Sequence, residues 1–319
     1  MASTRPGRSC PRRYRYSPAV FARAADLKAQ SLYVVGGLYG NRFALEAVLA
    51  MAQGEGATLV FNGDFNWFNV DAAAFEGVND TVLRHAALRG NVETEIAGED
   101  SGAGCGCAYP EWVGEAEVER SNEILTRLRG TASAYPELRQ RLAVLPMHLV
   151  AEIAGLRIGI LHGDAESLAG WQFSQEALGE RPECAEALLA GSGVDVFACT
   201  HTCLPVIQEF DAPRGKALIV NNGAAGMPNF RDTRFGLATR IAGTPSTQAL
   251  YGARLGAVVV EAVPVRYDYE AWLAEFDRVW PAGSPAALSY RKRIASGPVY
   301  GVEQAVRTGA RTGAFSRAA

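Results

Sequence analysis

The chain has 319 residues, 48% of them hydrophobic and 20% charged, which is ordinary globular composition and enough to bury a sizeable core. A net charge of −3 gives no global field that would draw nucleic acid, and no apolar run approaches the roughly 20 residues needed to span a bilayer. Six cysteines in a chain of this length read as reduced thiols, so a cytoplasmic location is expected.

Residues 1–28 are polar, basic and Pro-containing, and are expected to form a basic N-terminal arm. Pro18 and Arg23 interrupt any apolar stretch after Arg12 and Arg13, so no twin-arginine or secretory leader is expected. The run SLYVV (31–35) predicts a buried strand, and 43–52 has helical spacing. ATLVF (57–61) predicts the next strand and AALRGN (86–91) a short third one, a βαβ rhythm that calls for a sheet with helices packed on it. Residues 97–114 are Gly-rich, contain Cys105 and Cys107, and read as a long functional loop; helices are predicted over 115–130 and 136–144. The segment 148–164 predicts a hairpin turning at Ala154-Gly155, with its second strand ending at His162. A helix over 174–191 leads to a strand over 194–202 that ends in His201, and 217–229 predicts a strand running into a Gly-rich loop. The expected organisation is one domain over 29–300, with 97–146 as a loop and helical insertion and 301–319 as a mobile tail.

Five strand ends carry polar punctuation: GGLYGN (36–41), NGDFN (62–66), RGNVE (89–93), LHGD (161–164) and THTC (200–203). Ligands in open sheets gather at strand C-termini. An acid, an amide and two imidazoles gathered there suit a divalent cation: the carboxylate neutralises charge, and the nitrogens and amide oxygen complete the sphere.

The order of these motifs resembles the calcineurin-like metallophosphoesterase superfamily, in its bacterial phosphodiesterase-like branch, over about residues 31–265. That family carries Asp-x-His, Gly-Asp, Gly-Asn-His, a later His and Gly-His-x-His, each after a strand. The resemblance implies a four-layer αββα sandwich, two mixed sheets flanked by helices. It also implies that Asp64, Asn91, His162 and His201 are metal ligands, a complete second-metal set. The Asp-x-His positions fall instead on Gly37 and Tyr39, the leaving-group histidine on Val92, and the last histidine on Cys203. One divalent ion per chain is therefore expected, as Mn, Fe or Zn. Tyr39 as a donor to phosphate and Glu93 as a proton shuttle are candidate catalytic groups, with Cys203 a candidate soft ligand. Trp67, Asn222 and Arg231 are candidate pocket residues; Phe68, Tyr109 and Trp112 are candidates for a cap that stacks a flat group. His85 and His148 read as structural or exposed. The implied function is hydrolysis of a small phosphoester, nucleotide-like compounds among the candidates, by a metal-bound hydroxide. The alternative is an inactive or altered protein of the same fold that acts as a metal- or ligand-binding or regulatory module. The sequence leaves the oligomeric state open.

Overall fold

The computed structural model describes residues 5–99 and 102–314. Two short 3-10 turns, Arg12–Tyr14 and Pro18–Phe21, precede β1 (Leu27–Lys28). Then come β2 (Ser31–Val35), α1 (Arg42–Glu55), β3 (Thr58–Asn62), α2 (Ala72–Val82) and β4 (Ala86–Leu88). α3 (Asn91–Ala97) leads into the insertion, which supplies α4 (Glu115–Ser133) and α5 (Pro136–Ala143). The hairpin is β5 (His148–Ile153) and β6 (Leu156–Leu161), followed by α6 (Gln175–Glu180), α7 (Pro182–Ser192) and β7 (Val196–Cys199). Next are β8 (Val206–Ala212), β9 (Gly215–Asn221), β10 (Gly236–Ala242), β11 (Tyr251–Leu255) and β12 (Val258–Val265). The chain closes with α8 (Tyr269–Val279), α9 (Pro285–Ser296), α10 (Val302–Ala305) and β13 (Ala310–Thr312).

The strands form two sheets, ordered β13-β11-β12-β10-β2-β3-β4 and β1-β5-β6-β7-β9-β8. Both are mixed. β2, β3 and β4 run parallel while β10 lies antiparallel to β2. β6, β7 and β9 run parallel while β5 and β8 lie antiparallel to their neighbours. Alternation along β2 shows how the layers arise. Leu32 and Val34 face the space between the sheets, among Ile158, Ile160, Val196 and Val220. Tyr33 and Val35 face outward into the core under α1, α2, α4 and α8. The outer face of the second sheet packs on α6 and α7 through Phe197, Leu178, Leu188 and Leu189. The result is the expected helix-sheet-sheet-helix sandwich. Among the described residues, no helix is long and apolar enough to cross a membrane.

Three boundaries differ from expectation. β4 stops at Leu88, because Glu93 accepts from the Gly90 N–H (3.0 Å) and caps α3 at that point. Residues 5–28 are built into the domain and do not stand apart as an arm; residues 1–4 of the expected arm lie outside the described residues. Tyr14 and Phe21 are fully buried, β1 extends the second sheet against β5, and Gly7 N–H donates to the Ala103 carbonyl (2.7 Å). The mobile tail expected over 301–319 is folded as far as it is described. α10 buries Ala305, and β13 pairs with β11; residues 315–319 lie outside the described residues.

Candidate metal centre and its cavity

The parallel strands of both sheets end at one place, and their loops carry the polar motifs. Beyond β3 the backbone turns sharply through Gly63 (φ 94) and Asp64 (φ 53). The packing there leaves no room for side-chain carbons. A Cβ on Gly63 would lie 2.6 Å from the His162 Nδ1, and one on Gly90 would lie 2.2 Å from Asp64 Oδ1. Tyr39, His201 and Cys203 also sit in the left-handed region, so backbone strain concentrates at this site.

Hydrogen bonds fix the direction of each donor atom. His162, after β6, places Nδ1 2.9 Å from the Asn62 carbonyl, which puts the proton on Nδ1 and a lone pair on Nε2. His201, after β7, places Nε2 3.1 Å from the Cys107 carbonyl, which leaves the lone pair on Nδ1. Asn91 donates its amide to the Cys105 carbonyl (2.9 Å), which turns Oδ1 inward. Asp64 Oδ1 accepts from the Val92 N–H (3.1 Å) and Oδ2 faces the centre. His162 Nε2 then lies 3.3 Å from Asp64 Oδ2, 3.1 Å from Asn91 Oδ1 and 3.2 Å from His201 Nδ1. The ligand-capable atoms of Asp64, His162 and His201 all lie within 4.8 Å of one another, and all three residues are buried. Acceptors so close, with their protons held outward by main-chain carbonyls, repel unless a cation lies among them. The donor set therefore fits a divalent metal, and the outward hydrogen bonds are the supporting contacts such ligands use.

The charges of the three side chains depend on one another. Burial opposes ionisation of Asp64, yet the neighbouring His162 holds its carboxyl below the usual range. Burial likewise opposes protonation of His162, but Asp64 lifts its pKa above the ordinary value. Burial and the neighbouring His162 push His201 down to about 3, so its ring stays neutral.

The remaining sequence candidates fall in different places. Tyr39 lines the cavity beside this centre, and its hydroxyl lies 3.2 Å from Cys203 Sγ. A Cβ on Gly37 would come within 2.9 Å of the Tyr39 hydroxyl, so the ring fills the space beside that glycine. Burial raises the pKa of both the Tyr39 phenol and the Cys203 thiol, which keeps them protonated. Glu93 is fully buried and its carboxylate is occupied by the N–H groups of Asp64 (2.8 Å), Gly90 (3.0 Å) and Asn66 (3.2 Å). Burial and Asp64 raise its pKa to about 7, but it braces two loops and does not line the cavity, unlike the expected shuttle. Asn222 is buried outside the cavity, donating to the Gly36 and Leu237 carbonyls, and Arg231 is exposed. The pocket roles expected for these two do not match their positions, whereas Trp67 does line the cavity.

That cavity is about 400 Å³ in volume. Tyr109 and Trp112 line it, as the cap reading expects, and so do Trp171, Glu117, Glu176, Tyr290 and Arg293, which the sequence did not single out. Cys105 and Cys107 are free, buried thiols whose carbonyls orient Asn91 and His201. The Cys107 carbonyl also accepts from the Trp171 indole (3.0 Å), so one loop fixes a ligand and an aromatic wall together. His85 is exposed, and His148 is half-buried beside Arg23.

No protein-family model matches this chain, and no curated protein matches it. Solved structures do. A metallophosphoesterase from Sphaerobacter thermophilus is similar at 18% identity and TM-score 0.55, over 85% of this chain and 100% of that one. A hypothetical protein from Pyrococcus horikoshii OT3 is similar at 15% identity and TM-score 0.57, over 86% of this chain and 100% of that one. At such identities the likeness speaks for architecture, and it agrees with the two mixed sheets described above. The chain shares its α/β sandwich fold with that metallophosphoesterase.

Proposed function

We propose that this protein is a divergent metal-dependent phosphoesterase that hydrolyses a small phosphoester, with nucleotide-like compounds among the candidates. The observation that carries the reading is the convergence of Asp64 Oδ2, Asn91 Oδ1, His162 Nε2 and His201 Nδ1 at the edge of a cavity. These residues would hold one divalent ion, Mn, Fe or Zn. When bound, such an ion supplies Lewis-acid charge and lowers the pKa of water toward neutrality. The chain supplies the rest. The Asp64 carboxylate balances the charge, and the Asn62 and Cys107 carbonyls keep both imidazoles in the ligand tautomer. Trp67, Trp171 and Tyr290 narrow the cavity and exclude water from the reacting group. Tyr39, kept protonated by burial, offers an O–H donor at the cavity wall.

A second reading is favoured by a specific observation. Glu93 is tied to backbone and Val92 is apolar, so neither position beside Asn91 offers a free proton donor to a leaving group. A binding or regulatory role without turnover follows from that arrangement. One experiment separates the two. The manganese-loaded protein is expected to hydrolyse members of a phosphoester panel, and Asp64→Ala and His201→Ala are each expected to lose both metal and turnover. Bound metal without turnover on any member would replace the hydrolase with the binding module.

A further inference from the structure

Arg293 lies in the last turn of α9 and lines the same cavity as Asp64, Asn91 and His201. Uncharged oxygens hold its guanidinium. Nε donates to the Pro228 carbonyl (3.2 Å), and Nη2 donates to the Cys203 carbonyl (2.5 Å) and to Asn229 Oδ1 (3.4 Å). Asn229 is itself buried and fixed, accepting from the Ala224 N–H (2.9 Å) and donating to the Ala224 carbonyl (2.7 Å). Arg42, Arg129, Arg240 and Arg291 meet carboxylates, whereas Arg139 and Arg157 are held by main-chain carbonyls but do not line the cavity. Arg293 meets no carboxylate among the described residues, and its Nη1 makes no hydrogen bond there. A half-buried guanidinium held in place through Nε and Nη2, with both Nη1 hydrogens unspent, can donate charge-assisted hydrogen bonds from Nη1 to a phosphate oxygen.

The cavity has a second region of different chemistry. Tyr109 and Trp171 lie with ring centroids 6.0 Å apart, and Trp112 meets Trp171 edge-on at 5.7 Å. Trp112 is 65% exposed, a large ring left uncovered at the rim. Glu117 and Glu176 follow Trp112 and Trp171 by five residues each and line the same cavity, so this side repels additional negative charge.

We propose that Arg293 receives the phosphoryl oxygens of the ligand and that the Tyr109, Trp112 and Trp171 rim receives a flat ring esterified to them. The ligand class is a phosphoester with one phosphate and an aromatic group on its alcohol side. The phosphate half rests on the phosphoesterase reading. The test therefore measures binding and not turnover.

Manganese-loaded full-length protein is titrated calorimetrically with inorganic phosphate and with phenyl phosphate. Phenyl phosphate is expected to bind more tightly, by about five- to tenfold, from ring stacking. Arg293→Gln is expected to weaken both by about ten- to a hundredfold, the loss of a hydrogen-bonded charge, with manganese content unchanged. Arg293→Lys, which keeps the charge and loses the anchored planar group, is expected between the two. Trp112→Ala is expected to remove the preference for phenyl phosphate and leave inorganic phosphate unaffected. An unaltered phosphate affinity in Arg293→Gln would reduce Arg293 to a loop anchor and overturn the proposal. If that variant melts several degrees lower, Arg293→Lys decides, and an unaltered affinity there overturns the proposal in the same way. Equal affinity of the wild type for the two probes overturns the ring half. A protein that gives all the expected affinities but turns nothing over defeats the hydrolase reading and leaves this one standing.

Discussion

His162 is poised between a proton and a metal. With Nδ1 committed to the Asn62 carbonyl, either must occupy Nε2, and Asp64 raises the affinity of that nitrogen for a proton against the pull of burial. The protonated form is therefore favoured to a higher pH than in a free histidine, and it excludes the metal. Manganese affinity is expected to hold at pH 8 and to fall as the pH drops through neutrality toward 6. Titrations across that range that show no weakening would remove His162 from the ligand set. Gly37 gives a second test. Gly37→Asp adds a side chain at φ 63, within 2.9 Å of the Tyr39 hydroxyl. The backbone conformation alone costs roughly 1–2 kcal/mol, so the single variant is expected to melt lower. Combined with Tyr39→His and Cys203→His, which remove the obstructing ring and supply imidazoles, it is expected to raise the metal content from about one to about two per chain. Metal analysis alongside denaturation reads both. That Asp64, Asn91, His162 and His201 come together was legible in the sequence, because each follows a predicted strand in a fixed order. Arg293 was not, because its chemistry depends on Pro228, Cys203 and Asn229, 65, 90 and 64 residues away. Glu93 was misplaced for a related reason: three residues into a helix, a capping glutamate and a catalytic one look alike in sequence.

Among the elements, the βαβ units and the β5–β6 hairpin could be read because their periodicity is local. The segments missed are short and take their meaning from distant partners. β1 is two residues long and pairs Leu27 with Ala151; β13 pairs Ala310 with Ala253. The basic character of the first residues suggested a solvated arm, but the charges are matched across the fold: Arg5 and Arg8 meet Glu115, and Arg13 and the Tyr14 hydroxyl meet Glu95. Phe21 is fully buried against Phe197, with centroids 5.2 Å apart, and packs with the outer face of the second sheet. Phe21→Ala is expected to cost roughly 3–5 kcal/mol in denaturant unfolding. A loss near zero would show that these residues only rest on the domain.

At the scale of the molecule, the two sheets meet so that β2, β3, β6 and β7 all discharge their loops at one edge, and the cavity is assembled from those loops, the segment 107–114 and α4, α6 and α9. The net charge of −3 says nothing of this, because the charges that matter are buried and locally arranged. The distribution of the walls along the chain has a consequence for biosynthesis. Asp64 and Asn91 lie in the first third, His162 and His201 in the middle, and Arg293 close to the end. At about 5–20 residues per second, Arg293 is joined to the growing chain roughly 15–60 seconds after the first residue. A nascent chain still short of it already holds all four of the proposed metal ligands, so under both proposals the ion would meet its side chains before the anion seat exists.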